Sequence, residues 1–332
     1  MTKRLSALLA AGLFMLSLQV QADPLQRTIC VFDIAGNAGP VMNAMRAWRV
    51  QAINWGLRVK LLPYTNEGIA AEDLKAGQCD AALMTGLRAR QFNKYTGTID
   101  SVGSLPTMKH VKILLKVLAD PRSAARMASN GYEVMGLAPI GAAYIFVNDR
   151  RINTLDKAAG KKVAVFDYDP TQAILVAQIG ATPVPSDITN FSGKFNNGVV
   201  DIIAAPLAAY NVLELYKGLT PNGGIIDYPL LQLTFQVVAR KDRFPEAMMQ
   251  KSRQYFYQHL NDFLASLQQE AKAVDKKWWV EIPEQDKSQY EVRMAQARQQ
   301  LLKDGYYDQD MLTLLKRIRC KLQPARAECS AG

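Results

Sequence analysis

Histidine is almost missing: His110 and His259 are the only two in 332 residues, and no motif surrounds either. Four cysteines, equally scattered, complete too small a set for a zinc site of the usual spacing. There is no Gly-x-Ser-x-Gly elbow, HExxH helix or phosphate-binding loop. These absences remove the common hydrolase, metalloprotease and nucleotide-binding classes, and no catalytic residue, metal or cofactor is assigned. Long apolar runs are also lacking beyond the N-terminus, so nothing after it is expected to span a bilayer. The formal charge is +10, but Lys and Arg are spread along the chain rather than massed among aromatics, and no nucleic-acid partner is expected.

The N-terminus carries Lys3 and Arg4, the apolar run "LSALLAAGLFMLSL" and the small residues of "VQA". That is the layout of a secretory signal peptide over residues 1–22, cleaved after Ala22. The apolar run is shorter than the roughly 20 residues a bilayer requires. No cysteine follows the cut, which argues against a lipid anchor and for a soluble periplasmic chain.

An oxidising compartment suits the four cysteines. Cys320 and Cys329 bracket a short C-terminal segment and are expected to close a small loop. Cys30 and Cys79 each stand near the start of a predicted strand, "TICVFDI" and "CDAALM". Four cysteines permit three pairings, so joining Cys30 to Cys79 rests on those two strands being neighbours.

From Thr28 to Gly86, strands alternate with amphipathic helices, the pattern of a parallel sheet with right-handed crossovers. A second α/β unit starts at "KKVAVF", with Thr154 and Pro170 placed as helix-start residues. "YEVMGLAPI", "AAYIFVND" and "LLQLTFQVVAR" read as extended segments between the units, and helices dominate from Pro245 onward. Gly305 suits a helix stop and Asp308 an N-cap. The fold class is α/β, two lobes joined by hinge strands with C-terminal helices laid over both. Residues 23–144 plus about 235–275 form the first lobe, and 145–234 plus about 276–332 the second.

Several phrases in this order, "LKAGQCDAALM", "VNDRRINTLDKAAGKKVAV", "IGATPVP" and "NNGVVDIIAAP", resemble the solute-binding proteins of TRAP transporters, and more narrowly their divergent AdeT-type branch. The resemblance implies a type II-like periplasmic binding fold, a monomer, a small polar solute held between the lobes, and inner-membrane transporter subunits as partners. It also implies a carboxylate-gripping arginine on the strand after "GKK", yet that position is Ala164. A second arginine position falls near Tyr144, and an asparagine position at Ala205.

Ligands in open α/β sheets sit beyond the carboxyl ends of the strands. That rule selects Asp33, Asn37, Thr65, Glu67, Thr85 and Arg88 from the first lobe, and Tyr144, Asp167, Tyr168, Asp169 and Tyr210 from the second and its crossing strand. Each also has a structural role open to it, as helix cap or packing residue. Carboxylates outnumber arginines in this set, which favours a cationic or polyhydroxylated solute over a dicarboxylate. Arg90, Lys94 and Lys109 read as solvated surface. Two other functions fit the same features: an envelope or efflux accessory protein that carries no solute, and an exported enzyme on a binding-protein fold.

Overall fold

A computed structural model describes residues 23–330. The expected leader, residues 1–22, lies outside the described residues.

The first lobe is built on three parallel strands, β1 (Leu25–Phe32), β2 (Leu57–Tyr64) and β3 (Ala81–Thr85), linked by the helices Pro40–Ile53 and Glu67–Lys75. The period of two along β1 decides its packing. Ile29 and Val31 face a cluster with Met45 and Trp48, while Cys30 faces the opposite one with Leu74 and Leu114. Pro40 opens the first helix, where a missing N–H leaves no bond unmade. Asn66 caps the second, accepting from the amides of Gly68 and Ile69.

After the two-residue β4 (Ala128–Ser129), the chain runs into β5 (Tyr132–Val147), 16 residues long. "YEVMGLAPI" and "AAYIFVND", read from sequence as separate extended segments, lie mainly on this one strand. The second lobe follows with β6 (Lys162–Phe166), β7 (Thr182–Ser186) and β8 (Ile202–Pro206), then β9 (Gly224–Ile226), and β10 (Leu231–Arg240) returns to the first lobe. The short β11 (Trp279–Val280) pairs with β9. The main sheet order is β2-β1-β3-β10-β5-β8-β6-β7.

Two strands therefore belong to both lobes. The first part of β5 pairs with β10, which in turn pairs with β3; its last five residues pair with β8. Where β5 changes partner, Gly141 sits at φ +106°, a conformation that L side chains rarely adopt. The pairing of β5 with β10 skips Ile140 and Met135, so both irregularities put an extra residue on β5. Such bulges bend the strand that carries them, here the one that joins the lobes.

The C-terminal helices cross over and come back. Glu246–Gln258 packs Met249 and Phe256 on the first lobe, and the Phe256 ring lies so close to Gly136 that a Cβ there would meet it at 2.4 Å. The sequence reads as one helical run from Pro245 to Trp279, but it breaks at His259 and again before β11. Val274 joins the second lobe's cluster with Phe146 and Phe195. The helix Glu284–Lys303 then leads back, because Leu301 and, from the helix Gln309–Leu322, Met311, Leu315 and Ile318 share the cluster of Leu74 and Leu114. The last helix thus packs with the first lobe, where the sequence reading had grouped it with the second. Amphipathic spacing shows that a helix has an apolar face, not which lobe covers that face.

Both disulfides form as expected, Cys30–Cys79 across neighbouring strands with Cα atoms 5.9 Å apart and Cys320–Cys329 around the short C-terminal segment at 5.5 Å. The second draws Glu328 against Arg319 at 2.6 Å and Arg298 at 3.5 Å, holding its carboxyl at about 2 despite its burial.

Leu315→Ala should cost about 2–5 kcal/mol in urea denaturation, as large-to-small changes in a closed core do. Hydrogen exchange should quicken in β3 and leave β6 and β7 unchanged. The reverse pattern would place this helix on the second lobe.

Candidate functional site

A cavity of about 870 Å³ separates the lobes, bounded by the ends of β1 and β3, the crossing strands β5 and β10, the inner face of the second lobe and the helices Leu260–Lys272 and Glu284–Lys303. Its wall is mostly aliphatic and aromatic. Ala164 stands in it, at the position where the resemblance implied an arginine.

One side of the opening is clasped by side chains that cross from lobe to lobe. Glu67 is fully buried; its Oε1 accepts from the Tyr168 hydroxyl at 2.6 Å and its Oε2 from the Thr85 amide at 3.0 Å. The Arg88 guanidinium lies 3.3 Å over the Tyr168 ring, a cation–π contact, with its Nε 3.8 Å from Glu67. Burial, then the Glu67 carboxylate, hold the Tyr168 hydroxyl well above its ordinary pKa. Beside this group Arg90 Nη1 donates to Asp169 Oδ1 at 2.8 Å, and Asp169 also accepts from the Thr171 hydroxyl at 2.7 Å as the cap of the helix Pro170–Gln178. The side chains of Arg90 and Asp169 are 11% and 2% exposed, so neither charge is left to water. Arg90, read from sequence as solvated surface, is thus an interlobe residue; Lys94 and Lys109 are indeed exposed.

The other selected residues divide by location. Asp33 and Thr85 line the cavity, as does Asp169. Asp33 accepts from the amides of Ala35 and Met42, each at 2.9 Å, and so anchors the loop before the first helix. It lies so near Gly39 that a Cβ there would fall 2.1 Å from its Oδ1. Asn37 and Thr65 are exposed, and Asn37 accepts from Arg46. Tyr144 turns from the cavity to meet the Trp279 ring edge-on at 5.2 Å, and Tyr210 is buried in the same cluster of the second lobe. Asp167 is exposed and does not line the cavity. Both Asp167 and Asp169 lie in the turn after β6, where strand alternation has ended: Asp169 turns in as the cap of the next helix and Asp167 stays exposed.

An acidic cleft therefore does not assemble. Of the four carboxylates that suggested one, Asp33 is a cap, Glu67 and Asp169 face arginines, and Asp167 is outside. Three further acids that sequence reasoning missed line the wall: Asp156, which is exposed, and two that are less so. Asp100 is buried, and burial pushes it up to about 7 against the bonds from Thr234 N and Oγ1 at 3.0 and 2.7 Å. Glu270 is raised by burial, and its Oε2 has no hydrogen-bonding partner among the described residues. No local signal marks either, since Asp100 follows a polar turn and Glu270 sits in a helix rich in Gln and Glu.

Two α/β lobes joined by crossing strands, with an open cleft between them, define a two-lobed solute-binding protein. Solved structures share this fold: the TRAP periplasmic solute-binding protein from Desulfovibrio salexigens with bound orotic acid has a TM-score of 0.73 at 16% identity, covering 90% of this chain and 99% of that one. The protein from Shewanella oneidensis with bound succinate has 0.71 at 13%, covering 89% and 99%. In sequence, residues 42–332 match the family model for solute-binding protein AdeT 1/2. The chain is 44% identical over 300 residues to Probable solute-binding protein AdeT1 of Acinetobacter baumannii, covering 90% of this chain and 99% of that protein. Against Probable solute-binding protein AdeT2 of the same organism it is 27% identical over 233 residues, covering 70% and 98%. The chain belongs to the AdeT 1/2 solute-binding protein family.

Tyr168→Phe removes a donor from the buried Glu67 carboxylate. It should cost about 1–3 kcal/mol of stability and raise the radius of gyration in small-angle scattering as the lobes part. An unchanged radius would mean that the clasp does not hold the lobes together.

Proposed function

We propose that the chain is exported, loses residues 1–22 and acts in the periplasm as a monomeric binding protein that closes two lobes on a solute and presents it to membrane transporter subunits. The moving bodies are residues 23–144 with about 235–275 and the returning chain from Leu301, and residues 145–234 with the segment that begins near 276. The observation that carries this reading is the cleft of about 870 Å³ between units joined by β5 and β10. It falls in the range of roughly 300–1,000 Å³ typical of small-molecule sites. The work is binding and release, with no covalent step.

Among the residues chosen from sequence, Thr85 is proposed to face the solute, with Asp33 and Asp169 shaping the wall. Glu67, Arg88, Tyr168 and Asp169 act as the clasp that favours the closed form. Asn37, Thr65, Tyr144, Asp167 and Tyr210 have no place in this site. The cationic or polyhydroxylated solute suggested by the sequence loses its main support, because the carboxylates counted for it are already matched. Orotic acid and succinate, held by structural neighbours, are not expected ligands either, because Ala164 offers nothing for a carboxylate.

Closure is a shift between two populations, and a solute moves it only by binding the closed form better. Spin labels at V50C and V199C, exposed positions of the first and second lobes, report the distance between them. Low-molecular-weight extract of the expressing cells should narrow the distance distribution toward its short end. A distribution unmoved by every fraction, together with stable co-purification of envelope proteins, would replace this reading by that of a non-binding accessory protein.

A further inference from the structure

The chemistry of the cavity wall narrows what it can hold, taking the solute-binding reading as given. Leu87, Ile140, Ala143, Phe166, Leu233 and Leu267 face it from both lobes and the covering helices. Apolar surface dominates the wall, and the buried carboxylates on it are occupied: Asp33 by two amides, Asp100 by Thr234, Asp169 by Arg90 and Thr171. Asp156 and Arg293 also line the cavity, both at exposed positions. Arg88 and Arg90, the guanidiniums nearest the clasp, keep buried nitrogens without partners, but neither lines the cavity.

Glu270 is the exception. It lines the cavity from the helix Leu260–Lys272, and its Oε2 is closed to solvent without a partner among the described residues. Nothing charged stands against it, and its carboxyl is raised by burial alone. A dry acceptor of this kind gains from any donor brought to it. A small dicarboxylate or sugar acid would meet the opposite situation: its charges would be desolvated against aliphatic walls, and the cation that the lining includes among the described residues, Arg293, is solvent-exposed rather than buried.

We infer that the interlobe cavity takes a predominantly apolar molecule carrying one hydrogen-bond-donating head, a hydroxyl or an amine, seated at Glu270, and excludes small dicarboxylates and sugar acids. Affinity then comes from the apolar body, and orientation from the head.

The full mature chain is titrated with N-phenyl-1-naphthylamine, followed by fluorescence, and the bound probe is competed with straight-chain alcohols, amines and carboxylates below their micelle-forming concentrations. Saturable binding at one site is expected, displaced by alkanols and alkylamines whose affinity rises about three- to fourfold per methylene until the cavity is filled. Glu270→Leu should weaken the alkanol and the alkylamine about tenfold and leave the matching methyl ether unchanged. Ala143→Trp should abolish probe binding by filling the cavity, and Ala164→Phe, from the second lobe, does the same should the first variant misfold. No saturable binding, binding indifferent to both filling variants, or displacement by succinate or galacturonate overturns the inference. If succinate or galacturonate alone shifts the melting temperature and the interlobe distance, this ligand class fails while solute capture stands. If no compound of either class does so, both fail.

Discussion

The arginines at positions 88 and 90, on and just after one short turn of helix, reach across the cleft and are held there, one over the Tyr168 ring and beside Glu67, the other on Asp169. Everything distinctive about the site depends on this cross-lobe matching of charge. Each of these carboxylates lies 2% exposed or less, and such groups are costly to leave alone. Opening the cleft would part Asp169 from Arg90 and Glu67 from the Tyr168 hydroxyl, so the polar side chains at the mouth resist opening in proportion to their burial. The same pairing neutralises Asp169 where it meets the cavity wall, most of whose surface is apolar. A fold whose solved neighbours hold small acids is in this chain a clasped apolar chamber.

The hinge makes that arrangement workable. β5 and β10 are antiparallel and join the lobes, so turning one lobe on the other would bend strands without breaking either core. The irregularities are in β5, at Gly141 and at the extra residues Met135 and Ile140 in its pairing with β10. The helix Glu284–Lys303 spans the lobes on one side, with Met294 and Ala297 packed with Val102 of the first lobe and Leu175 of the second. Motion is thus limited by a hinge, a covering helix and a clasp, and solute binding adds its free energy to contacts already present.

Local features were legible in the sequence. Alternation gave the two α/β units and, through their strand order, the disulfide partner of Cys30. Thr154, Asp308, Pro170 and Gly305 marked helix ends because capping and backbone freedom act within a turn of chain. What could not be read were relations over distance. Arg90 looks like surface until Asp169, 79 residues on, is brought beside it. In "DYD" only the middle and last residues take part, and the helix start claims Asp169 as its cap. Counting carboxylates against arginines failed for the same reason: charge balance in a cleft is set by the pairs that form, not by the residues near it in sequence.

The central claim is that this chain closes on its solute by burying apolar surface in a cavity whose buried carboxylates, Glu270 apart, are already matched. Calorimetry of that binding over a range of temperatures tests it most directly, because removal of apolar surface from water carries a negative heat-capacity change. The account predicts a distinctly negative change and an affinity that barely moves with ionic strength. A heat-capacity change near zero, with affinity falling steeply as salt screens the interaction, would contradict it and return the site to ionic recognition.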